Sequence, residues 1–233
     1  MKKVSFIALG ILMVGIVLAR GIMGQGAVPM MGSQALGAQI LVMPKQPLDQ
    51  NEEQALMKIF EQEKLARDLY KELYDRWKIR VFLNLAISKQ YHFDMVKTLL
   101  EKYDVEYPAD DTPGTFTDQE PQKLYSEWLE KGKKSLESAL EVSAEAEEMN
   151  MYRVKEYLSQ IDNDDLRIML VNLSYASARH LKILNGFMTH YYDHAYRFQY
   201  LSREDVKEFY GQNFLKRAKQ FLRRHWSRFS GEH

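Results

Sequence analysis

Four stretches of the chain repeat their apolar residues at the three- and four-residue spacing that marks one face of an α-helix. These stretches cover about residues 51–77, 80–103, 136–161 and 166–191. The sequence contains no run that alternates apolar and polar residues as a half-buried strand does. The pattern therefore predicts an all-α protein whose four amphipathic helices pack as a four-helix bundle.

A polar segment separates the second helix from the third. It runs from Asp104 to about Gln119 and contains two prolines and Gly114. Apolar residues between positions 124 and 129 then predict a short extra helix that ends near Gly132. A loop of this length can cross the bundle from one end to the other, so we place the short helix in the crossover region.

Polar residues interrupt the apolar stripe near the midpoint of each long helix. In chain order they are Glu63, Lys89, His92, Glu147, Ser177 and His180. Because helix midpoints lie at one level in an up-and-down bundle, we expect the two glutamates and two histidines to converge in one buried layer, with Lys89 at its edge. Glu148 lies one residue out of phase with this pattern and could substitute for Glu147.

Two interpretations of this layer follow from its residue types. Charged groups are rarely buried unless they are paired or bound to a metal. Two carboxylates and two imidazoles can together bind one Fe, Mn or Zn ion, since each of these metals accepts nitrogen and oxygen ligands. Alternatively, the layer contains no cofactor and is a network of hydrogen bonds and ion pairs in which Lys89 neutralises Glu63 or Glu147.

Two runs of sequence around these residues resemble a known superfamily. They are residues 63–70, from Glu63 through Arg67-Asp68 to Tyr70, and residues 81–92, which end in Gln90-x-His92. Together with shorter blocks up to residue 202, they resemble the ferritin-like, rubrerythrin-related superfamily, in particular an uncharacterised family of small ferritin-like domains. The resemblance covers about residues 52–205 and implies a ferritin-like four-helix bundle.

The resemblance also implies a set of metal ligands. Di-metal proteins of the ferritin-like type supply one Glu from each of two helices and a Glu-x-x-His pair from each of the other two. By resemblance, Glu63 and Glu147 are the single carboxylates, and His92 and His180 are the histidines of the pairs.

The two remaining carboxylates of that pattern are missing. Lys89 lies three residues before His92, and Ser177 lies three residues before His180. We therefore expect a degenerate metal site in a protein that is non-catalytic or binds at most one metal ion. The alternative is an iron- or manganese-dependent redox or iron-handling protein, so enzymatic activity stays open.

Composition and charge narrow the class of protein. The chain has 32 basic and 32 acidic side chains, six prolines and no cysteine. These values exclude collagens, disulfide-stapled miniproteins and multi-span membrane proteins, and they fit one compact domain. A net charge of −8 on residues 39–213 is balanced by basic residues near both termini. Since an acidic body repels nucleic acid, we expect no nucleic-acid partner.

The N-terminal sequence indicates export. Lys2 and Lys3 precede sixteen uncharged, mostly apolar residues, and a glycine-rich stretch follows. This pattern predicts a signal peptide or signal anchor at residues 1–20, a flexible linker at 21–48 and the bundle at 49–205. The two lysines place the body outside the cytoplasm, either secreted or anchored to the membrane.

The C-terminal tail, residues 206–233, has the pattern of a basic amphipathic helix. Six Lys or Arg residues lie between positions 216 and 228, with apolar residues that include Phe221 and Trp226 on one side. This pattern predicts contact with an anionic membrane surface. The alternative is a further helix that docks on the acidic body.

One further pair of residues has the spacing of a metal site. His190 and His194 are four residues apart, as in a helical zinc pair, and Asp193 is adjacent. The sequence places no third ligand beside them. We therefore expect exposed histidines at a helix end.

Overall fold

The computed structural model describes residues 43–210, and all regular structure in this range is helical. The six helices are α1 (Gln50–Trp77), α2 (Arg80–Lys102), α3 (Gln119–Gly132), α4 (Leu136–Leu158), α5 (Asp164–Tyr192) and α6 (Arg203–Tyr210). This confirms the predicted all-α class. The predicted signal segment, most of the predicted linker and the tail after residue 210 lie outside the described residues.

Local capping explains where the long helices begin and end. Asp49 accepts a hydrogen bond from the Glu52 N–H, and the Glu52 side chain accepts one from the Asp49 N–H, which forms a capping box at the start of α1. Lys78 adopts a left-handed conformation that ends α1. The Asn163 side chain accepts two backbone N–H groups at the start of α5. Each device satisfies backbone groups that the helix itself leaves unpaired.

The four long helices form a helical bundle. Helix α1 packs on α2 and α4 packs on α5, while contacts between α1 and α4 and between α2 and α5 join the two pairs. The connections within each pair are short, so the paired helices run antiparallel. Helix α3 packs on α1 and α4.

The apolar core has two parts. One cluster contains Leu65–Leu73 of α1 together with Val81, Phe82, Leu85 and Ala86 of α2. The other contains the earlier part of α1, up to Phe60, and the part of α2 from Phe93 onward. The break between the clusters falls where α1 and α2 carry their polar residues. The polar positions therefore lie between two apolar regions rather than at an end of the bundle.

Helix α1 also anchors the long loop at residues 103–118. The Lys64 ammonium, which is buried, donates hydrogen bonds to the carbonyl oxygens of Thr112 at 2.7 Å and Thr115 at 3.0 Å. Glu61 accepts the backbone N–H groups of Thr117 and Asp118 at 2.8 and 3.1 Å. These bonds fix the start of α3 against α1.

Gly114 shapes the same loop. Its φ angle is +76°, and a Cβ atom there would lie 2.8 Å from the Tyr125 ring. Its N–H donates to Asp68 at 3.0 Å, and Arg67 links Asp68 to Asp111. A side chain at position 114 would therefore strain the backbone and also displace the aromatic ring.

The two ends of the described chain lie against the bundle. In the last residues of the predicted linker, Gln46 accepts the Asp164 N–H at 2.8 Å, and the Met43 carbonyl accepts from Lys102 at 2.9 Å. Helix α6 runs across the boundary between residues 205 and 206, where we placed the end of the bundle and the start of the tail, and Val206 packs on the core. Among residues 43–210, no helix has both the length and the apolarity needed to cross a membrane.

Candidate functional site

A buried polar layer lies between the two apolar clusters. Its members are Glu63 and Tyr70 from α1, Lys89 and His92 from α2, Glu147 from α4, and Ser177 and His180 from α5. The structure therefore brings together the two glutamates and two histidines that the spacing of the sequence pointed to. His180 is the most exposed of them, with 14% of its side chain accessible.

Lys89 lies inside the layer rather than at its edge. Its Nζ is 3.1 Å from Glu147 Oε2 and 3.4 Å from Glu63 Oε2, and its side chain is completely buried. One ammonium group thus bridges two carboxylates from different helices. This position differs from the edge position that we predicted, because the long side chain of Lys89 extends inward from α2 and reaches both carboxylates.

Each carboxylate also has its own imidazole. His92 Nδ1 lies 3.2 Å from Glu63 Oε2, and His180 Nδ1 lies 3.1 Å from Glu147 Oε1. The two imidazole ring centres are 6.3 Å apart, and the ring planes differ by 26°. The layer is therefore two Glu–His pairs linked by one ammonium.

Tyr70 also belongs to the layer, although it is not among the polar interruptions that the sequence pattern identified. Its hydroxyl donates to Glu147 Oε1 at 2.9 Å and lies 3.2 Å from the Ser143 carbonyl. Tyr70 follows Glu63 by two helical turns and so shares its face of α1. Since a buried tyrosine hydroxyl needs a hydrogen-bond partner, this spacing could have identified it.

The electrostatics of the layer favour charged carboxylates. Burial alone would raise the pKa of Glu63, but the Lys89 ammonium and the His92 hydrogen bond outweigh burial and lower this pKa. The pKa of Glu147 is also lowered, because Lys89 and His180 outweigh its burial. Burial would lower the pKa of Lys89, yet the two carboxylates raise it, so the amine keeps its proton.

For His92 and Tyr70, the pKa shifts favour the neutral forms. Burial lowers the pKa of His92 and outweighs its hydrogen bond to Glu63, so its neutral form is favoured. Burial and the neighbouring Glu147 raise the pKa of Tyr70 well above its usual value. Lys89 is consequently the principal cation facing both carboxylates.

Ser177 occupies the position where the resemblance would require a carboxylate. Its hydroxyl lies near enough to Glu147 to lower the pKa of that group. It forms no hydrogen bond of normal geometry within residues 43–210. A small neutral group thus stands where a ligand of a second metal would be needed.

Glu148 does not enter this layer. Its carboxylate is fully buried and accepts the Tyr196 hydroxyl at 2.7 Å. It also accepts the backbone N–H groups of Gln199, Tyr200 and Leu201 at 2.9, 2.7 and 2.8 Å. Its position therefore does not support the alternative that it substitutes for Glu147.

His190 and His194 do not form a helical pair. Helix α5 ends at Tyr192, and Asp193 has a φ angle of +59° that turns the chain away from the helix axis. His190 rests edge-on against the Tyr191 ring, whereas His194 Nε2 lies 2.6 Å from Glu137 Oε1.

The residues of the layer do not fit the two-metal centre that the resemblance implies. The Lys89 ammonium lies between the carboxylates that such a centre would use. A protonated lysine about 4 Å from a divalent ion opposes its binding by roughly 8 kcal/mol at an effective dielectric constant of about 20. The hydroxyl of Ser177 does not compensate for this charge.

Comparisons with known proteins extend over this whole helical region. Residues 52–212 match the family model described as "Uncharacterized protein domain (DUF2202)". The "Uncharacterized protein MJ0754" of Methanocaldococcus jannaschii is 37% identical over 167 residues, which is 71% of this chain and 90% of that protein. A crystal structure titled as hypothetical protein MJ0754 from Methanococcus jannaschii aligns with a TM-score of 0.69, at 37% identity, over 72% of this chain and 95% of that one.

Proposed function

We propose that this chain, which belongs to the DUF2202 family, is an exported ferritin-like bundle whose internal cation is the ammonium of Lys89. In this proposal the protein is a non-catalytic scaffold. The buried layer holds four helices in one arrangement instead of carrying out metal chemistry.

The ferritin-like assignment is supported by the arrangement of the helices. Two antiparallel pairs, α1–α2 and α4–α5, are connected by a long segment that contains α3. Each long helix contributes a polar group near its midpoint, as the ligand-bearing helices of ferritin-like proteins do.

The position of Lys89 carries the proposal. Its Nζ lies within 3.4 Å of a carboxylate oxygen of both Glu63 and Glu147. The two carboxylates and the ammonium together carry one surplus negative charge, and each carboxylate also lies within hydrogen-bond distance of an imidazole Nδ1. A divalent ion would have to displace this ammonium, because its Nζ already lies between the two carboxylates.

A buried ion pair of this kind favours one packing arrangement over others. Removing one partner of such a pair leaves an uncompensated charge, so alternative helix registers that separate Lys89 from the carboxylates are strongly disfavoured. The layer thereby selects the relative positions of α1, α2 and α4.

The proposed location rests on the two ends of the chain. Lys2 and Lys3 followed by an apolar run favour export, and the basic tail favours contact with an anionic membrane surface. Deletion of residues 214–233 should weaken binding to vesicles that contain anionic lipid, and added salt should weaken binding of the full chain. Equal binding with and without the tail would reject the membrane contact.

A second candidate function is supported by one observation. Glu63, His92, Glu147 and His180 match four of the six ligands of a di-metal protein, and they lie in one layer. An iron- or manganese-dependent redox or iron-handling protein would use these four groups. It would require Lys89 to move out of the layer or to lose its proton.

Metal analysis separates the two candidates. The full chain should be incubated with Fe(II) without oxygen, or with Mn(II), and bound metal measured after gel filtration. For the wild type, we expect no bound Fe or Mn whose binding requires His92. In Lys89→Glu, which creates a Glu-x-x-His pair, we expect bound metal to increase. Stoichiometric binding to the wild type that His92→Gln abolishes would favour the redox candidate.

A further inference from the structure

A second group of metal-binding side chains lies at the surface, where α4 begins. It consists of Glu137, Glu141 and His194. One donor atom from each residue lies within 4.8 Å of the other two. The two glutamates are one turn apart on α4, and the histidine comes from the segment that follows α5.

The chain on both sides of His194 is held in place. Asp193 has a left-handed conformation that directs the segment back toward α4. The Tyr196 N–H donates to the Asn185 side chain at 2.8 Å. The imidazole is therefore positioned beside the two carboxylates before any ligand arrives, which lowers the entropy loss on binding.

The charge around the imidazole favours a cation. His194 Nε2 is 2.6 Å from Glu137 Oε1, so a carboxylate oxygen already lies beside the imidazole nitrogen. Lys131 lies 3.4 Å from Glu141 but also lies 3.9 Å from Glu145. Since Lys131 has this second partner, Glu141 can turn toward a metal without leaving the lysine unpaired.

We propose that Glu137, Glu141 and His194 form a binding site for a single zinc-class divalent cation. An imidazole nitrogen with two carboxylate oxygens is a donor set that suits zinc, which binds such atoms at about 2.0–2.2 Å. Glu141 and His194 also line a surface cavity of about 520 Å³, which gives an ion access from solvent.

Small movements bring the donors to zinc-binding distances. Tetrahedral ligands around zinc lie about 3.3 Å apart, which follows from bond lengths of about 2.0 Å. The side chains of Glu137 and His194 are each 42% exposed, and that of Glu141 is 36% exposed. They can therefore adjust without disturbing the core, and a water molecule completes the coordination.

Zinc at this site would fasten the segment after α5 to α4. Glu148 already fastens this segment farther along α4, through the backbone N–H groups of residues 199–201. The proposed ion adds a second attachment, between His194 and the first turns of α4. Zinc binding should therefore stabilise the folded chain.

The test is calorimetric titration of the metal-free full chain with ZnCl₂ in a buffer that contains excess Mg²⁺. We expect one Zn²⁺ per chain, bound at least tenfold more weakly by His194→Gln and by Glu141→Gln. His190→Gln is the matched control, because His190 is an exposed histidine of the same helix end that lies outside the cluster. It should bind Zn²⁺ as the wild type does.

A thermal melt provides a second measurement on the same proteins. Zn²⁺ should raise the melting temperature of the wild type and of His190→Gln, but not that of His194→Gln. The proposal is overturned if His194→Gln binds Zn²⁺ as tightly as the wild type. Loss of binding in His92→Gln but not in His194→Gln would also overturn it, and would assign the ion to the buried layer.

Discussion

Glu147 and Glu148 are adjacent residues of α4, and both are completely buried, yet they stabilise the fold in different ways. Glu147 faces the bundle interior, where it meets Lys89, His180 and Tyr70. Glu148 points about 100° away around α4, as adjacent helical residues do, and accepts the N–H groups of the chain segment at residues 199–201.

The difference teaches that burial of a carboxylate does not by itself indicate a metal site. Backbone N–H groups can satisfy a buried carboxylate as completely as cations can, because an ionised oxygen is a strong acceptor. Glu147 joins four helices through side chains alone. Glu148 fastens one irregular segment to one helix.

The largest effect in this comparison is expected for Glu147→Gln. This change leaves Lys89 buried with Glu63 as its only carboxylate, so the free energy of unfolding should fall by about 3–5 kcal/mol. Urea denaturation of the variant and the wild type measures this difference. A loss below about 1 kcal/mol would show that the layer does not depend on the pairing of Lys89 with Glu147.

A smaller and more local effect is expected for Glu148→Gln. The amide keeps one acceptor oxygen but loses the charge that strengthens the bonds to residues 199–201, so we expect a loss of about 1.5–3 kcal/mol. Hydrogen exchange should accelerate at the amides of Gln199, Tyr200 and Leu201. Unchanged exchange at these amides would contradict the role assigned to Glu148.

Acid should weaken the layer in two steps. The folded pKa of His92 lies below its unfolded value near 6.5. As the pH falls below 6.5, His92 is therefore protonated in the unfolded chain before it is protonated in the folded chain, and the free energy of unfolding starts to fall. The folded pKa values of Glu63 and Glu147 lie below 4.5, so their contribution is full above that pH and is lost as the pH falls further. Each group can contribute a slope of at most about 1.4 kcal/mol per pH unit.

Two variants separate these steps. The measurement is the free energy of unfolding by urea denaturation from pH 8 to pH 3. The upper step should be absent from the curve of His92→Gln, and the lower step should be smaller in the curve of Glu147→Gln. A wild-type curve that stays flat across this range would contradict the lowered pKa values.

The smallest effect is expected for Ser177→Ala. The Ser177 hydroxyl is buried without a hydrogen bond of normal geometry in the described part of the chain, so its removal deletes little. We expect a change below about 1 kcal/mol in the free energy of unfolding. A larger loss would show that this hydroxyl supports Glu147 directly and belongs to the network.

The sequence predicted the helices and the layer because both follow from the spacing of residue types. Apolar repeats placed four long helices within a few residues of their observed bounds, and polar interruptions identified Glu63, His92, Glu147 and His180. Heptad phase alone could not decide between Glu147 and Glu148. Both are buried, and only the folded chain shows what each one faces.

Other features depend on contacts between distant parts of the chain. Lys64 binds loop carbonyl groups 48 and 51 residues away, a contact that no local pattern reports. His194 meets Glu137 because the chain turns at Asp193, where helical spacing no longer applies. The predicted export segment and the tail after residue 210 lie outside the described residues and stay predictions.

A double-mutant cycle on Lys89→Met and Glu147→Gln tests the central claim most directly. If the Lys89 ammonium is the internal cation, Lys89→Met alone should lower the free energy of unfolding by about 3–5 kcal/mol. The loss of unfolding free energy in the double variant should then be smaller than the sum of the two single losses by at least about 2 kcal/mol. In the double variant Glu63 still pairs with His92, and no second carboxylate is left buried without a partner. Losses that add to within about 0.5 kcal/mol would contradict the claim.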